Sequence, residues 1–441
     1  MTFSRTLGLA ILLLGLLGVT GQVAAKPLTL LDAIQTTLDQ NDELAAKQAK
    51  LQADEEAINQ AWANVKPNVS FNFNSGYAEY DTDFQKNQNA HYSRGTLSVV
   101  QPVYSPKRFR TIDRSEKSVV VSKLQFQLDQ QAKTLEMVQA YLELAKYIKV
   151  LKISEKELVD HVVKVKRLDA MLARGLATKM DILEAQAQYD ELKANLIANQ
   201  NDVKIRQKRL EHLLGVAVED IAAIDESMWQ RSKAIVAKKD WYKRAWKSAL
   251  SVQVALGQVE LAQQEVSVQG AEHWPEINLR LEASKNDSYQ TFTNEDKKIQ
   301  LEMTIPIYQG GGTSSKVAAA QKMMHSQQFL LKDSKRFVKV KLEEVLARLD
   351  GSIANISALQ QSMQSSEAYL ESAQKGLGYG LRGVFDVLEA KTRLYNAERK
   401  LTFEFYDNIN AQFEFLYLMG RLNYSVLDRY MNQPFNMELL M

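Results

Sequence analysis

The chain reads as a mainly helical protein that also contributes strands to a membrane β-barrel, built from an internal duplication. Three observations carry this reading. The segment Gly175-Leu-Ala-Thr-Lys-Met-Asp181-Ile-Leu-Glu184-Ala185 returns as Gly380-Leu-Arg-Gly-Val-Phe-Asp386-Val-Leu-Glu389-Ala390, an offset of 205 residues. Leu213-Leu214-Gly215 returns in step as Leu418-Met419-Gly420, and Val100-Gln101-Pro102-Val103-Tyr104 as Thr304-Ile305-Pro306-Ile307-Tyr308. Within each copy, two short stretches of period-two alternation lead into very long helical pattern. A period of this size means two like units packed about a pseudo-symmetric axis.

Met1 to Ala25 has the form of a secretory signal. Arg5 precedes an apolar run from Leu7 to Val19, and Val23-Ala24-Ala25 offers a small-residue cleavage site. The run is about 13 residues against about 20 for a spanning helix, so the mature chain is expected to begin near Lys26 without a membrane helix. An exported chain without cysteine has no disulfide and no lipid-modified cysteine to anchor it. The five histidines (His91, His161, His212, His273 and His325) form no metal-spaced pair. A net charge of +2 gives no electrostatic footprint for nucleic acid.

The first repeat is expected over 26–215 and the second over 240–420, with a linker at 216–239 and a C-terminal segment at 421–441. A helix over Leu28 to Val65 leads into two strands, in which Val69, Phe71 and Phe73 oppose Ser70, Asn72 and Asn74, and Leu97 and Val99 oppose Thr96 and Ser98. A helical stretch from Pro106 to Met171 follows, roughly 100 Å at the α-helical rise. Asp181 to Leu214 returns.

The second repeat opens with a helix over Asp240 to His273. Ile277, Leu279, Leu281 and Ala283 then alternate with Asn278, Arg280, Glu282 and Ser284, and Ile299, Leu301, Met303 and Ile305 with Lys298, Gln300, Glu302 and Thr304. The segments about Tyr80 to Ala90 and Lys285 to Asp296, rich in Asn, Asp, Gln and Thr, are expected to be loops. Pro67, Pro102, Pro106, Pro275 and Pro306 mark strand ends, because proline cannot donate to a ladder. Gly310-Gly311-Gly312 is expected to be a hinge; no Gly-Lys-Ser/Thr follows to make a phosphate loop.

From about Ser314 to Lys375 the residues Val338, Leu342, Val345, Leu349, Ser352, Ile356, Leu359 and Met363 step by four and three, a coiled-coil seam. Asp386 to Met419 returns. Each return helix plus each leading helix is about as long as one descending helix, so the halves are expected to stack end to end against it. The linker and the C-terminal segment would wrap the middle as a belt.

Four strands cannot close a membrane barrel within one chain, since the smallest need about eight and an open edge in lipid leaves backbone groups unpaired. Several chains must share one barrel, and a trimer supplies twelve strands. The polar face, with Lys298, Gln300, Glu302 and Thr304, would then line the lumen.

These residues together resemble the TolC family of outer-membrane exit channels. The most specific words are the two hairpin tips, where glycine is followed six residues on by aspartate and alanine four further: Gly175, Asp181, Ala185 and Gly380, Asp386, Ala390. Ala185-Gln-Ala-Gln-Tyr189-Asp190 and Leu394-Tyr395-Asn396-Ala397 also read like family sequence, and the resemblance covers essentially the whole mature chain. It implies a homotrimer in the outer membrane of a Gram-negative bacterium with a large periplasmic part. Its partners would be a periplasmic adaptor (membrane fusion protein), an inner-membrane transporter and outer-membrane lipid. Drugs and other small molecules, or secreted proteins, would be the cargo, with no cofactor and no metal.

The resemblance also assigns roles at the tips. Arg382 matches a gating arginine and Asp181 the aspartate it engages; Asp386 and Glu389 match acidic rings at the constriction, Glu389 replacing an aspartate. A tyrosine of that network would fall at Leu377, with Tyr379 two positions away. Adaptor docking would use Gly175, Leu176, Ala177, Gly380 and Leu381. An acid in the first turn of a helix is favoured by the dipole whatever the function, so capping is an equal reading of Asp181 and Asp386. A pore-free coiled-coil spacer would explain the helices but not the strands. Nothing in the chain has the form of a nucleophile elbow, a metal site or a phosphate loop, so an enzyme is not expected.

Overall fold

The computed structural model describes residues 27–82, 85–238, 240–288 and 294–432. The signal segment Met1–Ala25 lies outside these, as do the last residues of the C-terminal segment. Eight of the ten α-helices form two parallel systems. In the first, α1 (Leu30–Gln40), α2 (Asp42–Ala63) and α4 (Lys179–Leu214) pack against the 67-residue α3 (Pro106–Leu172). In the second, α6 (Trp241–Ser248), α7 (Leu250–Gly270) and α9 (Val384–Leu418) pack against the 67-residue α8 (Gly312–Gly378). Each rod is about 100 Å long.

Pro106 opens α3 at the first helical position, where a missing N–H costs nothing. α8 opens after Gly310 and Gly311, whose φ values of 61° and 79° lie in the left-handed region.

The end-to-end stacking is present, and it explains two breaks that periodicity alone did not show. The leading helix expected over Leu28 to Val65 divides at Asn41. That residue is extended, caps α2 by accepting from the Leu44 amide at 3.2 Å, and donates to the Leu213 carbonyl at 3.1 Å. The leading helix of the second repeat divides in the same place, at Ala249. There Gly420 approaches so closely that a Cβ would lie 2.2 Å from the Ser248 carbonyl oxygen. A return helix therefore ends where a leading helix is interrupted, and at the first joint the interruption supplies a donor to the blunt helix end.

The heptad residues Val338, Leu342, Val345, Leu349, Ser352 and Ile356 are all buried, and Leu359 and Met363 pack beside Ile356. The main core lies midway along the rods, where Ile34, Tyr141, Leu214, Trp241, Phe413 and Phe415 meet with almost no exposed surface. Truncating one such side chain to alanine costs about 2–5 kcal/mol.

The linker carries a 3-10 turn (Glu226–Gln230) and α5 (Arg231–Ala237), which touches α8; α10 (Tyr424–Asn432) touches α1. A fully buried polar set fastens it: Ser232 Oγ donates to Asn408 Oδ1 at 2.8 Å, Gln412 Nε2 to the Met228 carbonyl at 3.0 Å, and the Tyr430 hydroxyl to Gln412 Oε1. Each partner is satisfied, the condition under which polar groups rigidify a core.

The four strands form one antiparallel sheet in the order β1 (Asn68–Thr82), β2 (Gln85–Tyr104), β3 (Glu276–Ser288), β4 (Asn294–Thr304). The two segments expected to be polar loops are corrected here. Tyr80–Thr82 and 85–90 continue the first hairpin, and Lys285–Ser288 and Asn294–Asp296 continue the second. Beyond the apolar zone both faces of a hairpin meet water, so the alternation that marks a half-buried strand disappears while the ladder bonds persist. Pro102 likewise lies inside β2 rather than at its end, at a register shift between Pro102 and Tyr104, the kind of bulge where a missing donor is tolerated.

Candidate functional site: the hairpin tips and the two faces of the sheet

Residues directly opposite in an antiparallel sheet share a face, so the register sorts the strands without ambiguity. One row reads Val69, Val99, Leu281, Ile299 and the next Phe71, Leu97, Ala283, Lys297. Gln101, Leu279 and Leu301 form a third, and Ile277 faces Met303. Much of this face has no protein cover: Phe71 is 68 % and Ile299 78 % exposed, while Val99, Ile277 and Leu279 are half-buried.

The opposite face carries the polar set. Lys298 faces Glu282, which faces Ser98 and then Ser70, with the two serine hydroxyls 2.8 Å apart. Gln300 faces Arg280, Glu302 faces Asn278, and Thr304 faces Glu276; Arg280 and Glu302 pair diagonally at 3.5 Å. Val100 is an apolar exception there; on the other side Lys297 and Gln101 are polar, and the Gln101 amide donates to the Val65 carbonyl at 2.9 Å. Neither β1 nor β4 pairs along its outer edge among the described residues. A face of this apolarity next to open ladders is stable only where lipid covers the face and another chain covers the edges.

At the far end of the rods the tips are tight reversals. In the first, Gly175 has φ 71°, and the amides of Gly175 and Leu176 donate to the carbonyls of Leu172 and Met171 at 2.9 Å each. In the second, Gly380 has φ 72°, and the amides of Leu381 and Arg382 donate to the Gly376 carbonyl at 2.8 and 3.3 Å. Glycine is required at both because a Cβ opposes this conformation. Leu176 and Leu381 are exposed at equivalent places, with Tyr379 beside the latter and Ala177 half-buried.

The charged tip residues divide unevenly. Asp181 closes a capping box: its carboxylate accepts from the Thr178 amide and hydroxyl at 2.7 Å each, while Thr178 Oγ1 accepts from the Asp181 amide at 3.2 Å. The Thr178 amide and then its hydroxyl hold the Asp181 carboxyl below its ordinary value. Asp386 accepts from the Gly383 amide at 2.7 Å and pairs with Arg382 at 3.7 Å, and Glu389 pairs with Arg393 at 2.7 Å. Within one chain Arg382 therefore meets Asp386 and not Asp181.

Asp386 and Glu389 border a cleft of about 810 Å³ between α4 and α9, floored by α3. Its lining includes Glu157, His161 and Arg399, and further pairs between α3 and α9 lie beside it. Tyr395 donates to Asp160 at 2.5 Å, Lys391 pairs with Asp160 at 2.8 Å, and Arg399 pairs with the buried Glu157. Lys164 and His161 lie buried on α3 beside Phe385 and Gln188. Nothing in a single sequence marks such cross-helix partners, which are about 230 residues apart. Among the described residues no helix is long and apolar enough to cross a membrane, and no cluster of His, Asp and Glu is set to hold a metal.

Two long helical rods that end in a four-stranded, one-face-apolar sheet define an outer-membrane channel protein whose barrel closes only between chains. Residues 33–216 and 241–408 match the family described as outer membrane efflux protein, and the chain belongs to that family. It is 25 % identical over 406 residues to outer membrane protein TolC of Escherichia coli, covering 87 % of this chain and 80 % of that protein. The alkaline protease secretion protein AprF of Pseudomonas aeruginosa is 21 % identical over 417 residues, covering 92 % and 87 % respectively. Among solved structures, the Campylobacter jejuni CmeC outer membrane channel superposes with a TM-score of 0.77 at 13 % identity, over 92 % of this chain and 90 % of its own. These relatives are outer-membrane channels and not enzymes.

Proposed function

We propose that the protein is the passive exit duct of a tripartite export system. A homotrimer pools twelve strands into one barrel, and its periplasmic helices reach an adaptor and an inner-membrane transporter that supplies the energy. The observation that carries this reading is the sheet: one continuous apolar face, one polar face with Lys298, Gln300, Glu302 and Thr304, and two open edges. The polar face lines the lumen. The two repeats, 26–215 and 240–420, follow a signal peptide removed near Lys26, and 216–239 with 421–441 forms the equatorial belt.

The exposed leucines at the glycine tips, Leu176 and Leu381 with Gly175, Ala177 and Gly380, are the adaptor-docking surface. Arg382 and Asp181 hold the entrance shut across neighbouring protomers, and Asp386 with Glu389 forms the cation-attracting constriction. The cargo is drugs and other small molecules. A second reading, type I protein secretion, is favoured by the similarity to AprF and to the proteases secretion protein PrtF of Dickeya chrysanthemi, which extends over 94 % of the chain.

Single-channel recording in planar bilayers tests the duct. Discrete, cation-selective openings are expected, and a membrane left unperturbed by the assembled protein would favour the pore-free spacer. Deleting the gene and comparing drug susceptibility with the yield of secreted protein then separates the two cargo classes.

A further inference from the structure

Lys164 stands apart from the other buried cations of the molecule. It is 6 % exposed and its ammonium has no hydrogen-bond partner. Buried Lys133 and Lys146, by contrast, bond two carboxylates each. Its Nζ lies over the face of Phe385, 4.3 Å from the ring centroid. Phe385 immediately precedes Asp386 in the first turn of α9. A ring quadrupole recovers only part of what an ammonium loses on leaving water. His161, one turn earlier, is 2 % exposed, and its Nδ1 is also without a partner while Nε2 meets Gln188 of α4 at 3.3 Å.

We propose that Lys164 is a positioning residue that biases the α8–α9 tip toward release: α9 packed on α3 holds its unpaired ammonium against Phe385, and movement of α9 away from α3, taken as tip opening, returns that charge to water. Its consequence for the opening rests on the reading of Asp386 and Glu389 as the constriction; the tip movement itself does not.

The charged groups around it are otherwise occupied. On α9, Asp386 is held by Gly383 and Arg382, and Glu389 by Arg393. On α3, Asp160 is held by Lys391 and Tyr395, and Glu157 by Arg399. Glu184 of α4 is the one acid that acts on Lys164, and it only partly opposes the burial that pushes the ammonium down to about 8. Burial likewise pushes the His161 imidazole down.

The sign follows from linkage. A group that binds its proton less well in the closed state favours release wherever it is charged, so the bias is present below about pH 8 and fades as pH rises toward the ordinary lysine value.

The chain has no cysteine, so Leu381→Cys gives a unique attachment point for a spin label on the exposed tip. Label-to-label distances across the assembled channel in detergent report splaying. In an otherwise unchanged protein the splayed-to-closed ratio is expected to fall about tenfold between about pH 7 and about pH 9.5. Lys164→Arg, charged throughout, should remain splayed at both values, and Lys164→Met, apolar and of similar length, should remain closed at both. A methionine variant that splays more than the parent at about pH 7 would show that the ammonium clasps the tip and overturn the proposal, as would an unchanged pH profile in both variants. Conductance of the same samples is read separately. Tip distances that follow Lys164 without any change in conductance would leave this inference standing and remove the constriction from the tips.

Discussion

The two repeats share a fold and differ in how each is locked. At the equator, the first return helix ends at Gly215, where a Cβ would find the nearest atom, the Gln40 carbonyl oxygen, at an ordinary 4.0 Å. The second ends at Gly420, where the Ser248 carbonyl leaves no room at all. At the tips the order reverses. The first is fixed by its own capping box, so Asp181 spends its carboxylate on Thr178. The second has glycine at the cap position, no hydroxyl to complete the box, and Asp386 shared between the Gly383 amide and Arg382. The stem of Arg382 lies over Gly376, where a Cβ would come within 2.7 Å of its Cγ. Duplication fixed the architecture, and divergence then placed rigidity at one equatorial joint and labile charge at one tip.

The strands are where the repeats must remain equivalent, and there the largest effect is expected. Phe71 of β1 and Leu301 of β4 lie on the same apolar face. Arginine on a lipid face costs about 2–4 kcal/mol at mid-bilayer, and it recurs in every copy. Phe71→Arg and Leu301→Arg should therefore each abolish assembled oligomer in outer-membrane fractions, while Glu302→Gln and Lys298→Gln assemble normally and alter conductance at most. Damage from one arginine and not from the other would break the equivalence; equal damage from all four would reverse the faces.

The equatorial joints come next. Gly420→Ala combines a left-handed φ of 66° with a clash against backbone, and about 2–4 kcal/mol of destabilisation is expected. Gly215→Ala meets only the conformational cost, about 1–2 kcal/mol. Thermal unfolding of the detergent-solubilised oligomer should rank them in that order, and equal losses would remove the asymmetry between the joints.

Much of this was legible in the chain because duplication repeats its own signals. The 205-residue offset located both tips, and the four-three step of Val338 to Ile356 located the seam that proves buried. What was not legible has a common cause. Asn41 and Ala249 interrupt helices for the sake of partners at Leu213 and Gly420, and the outer hairpins keep pairing after their alternation has ended. Local pattern reports burial along one element; these features are fixed by another element far away in sequence. The same holds for Lys164, which as a residue type reads as surface until α4 and α9 close over it.

The first tip should depend on its cap. Thr178→Ala removes the hydroxyl that accepts from the Asp181 amide, an expected loss of about 1 kcal/mol confined to the start of α4. Gly383→Ala, at a φ of −80° that any residue adopts, should be nearly neutral. Amide hydrogen exchange over the two first turns distinguishes them. Asp181 also supplies a pH test, since its lowered pKa means that its contribution is present above the ordinary carboxylate value and is lost as pH falls through the value in the folded tip. Exchange at Thr178 and Asp181 should thus lose its protection on acidification, and an acid-insensitive first turn would leave the cap to the threonine alone.

The smallest energy per chain belongs to the second tip, and only symmetry can make it matter. Arg382 and Asp386 are more than a third exposed and 3.7 Å apart, and such a pair is worth about 0–1 kcal/mol. In the proposed trimer three copies act on one opening and add, so a shift of up to about 3 kcal/mol in the closed-to-open balance is available, enough at its upper end to change the open fraction more than tenfold. Arg382→Ser, alone or with Asp181→Ala, is expected to raise single-channel conductance, and the double variant should not exceed the single if Asp181 receives Arg382 from a neighbouring protomer. Asp386→Asn with Glu389→Gln removes two carboxylates per copy from the cleft, and with them the Arg382–Asp386 pair, so it should weaken cation preference and block by multivalent cations. Wild-type conductance in the first set together with unchanged selectivity in the second would leave both tips with the same role, that of capped helix reversals.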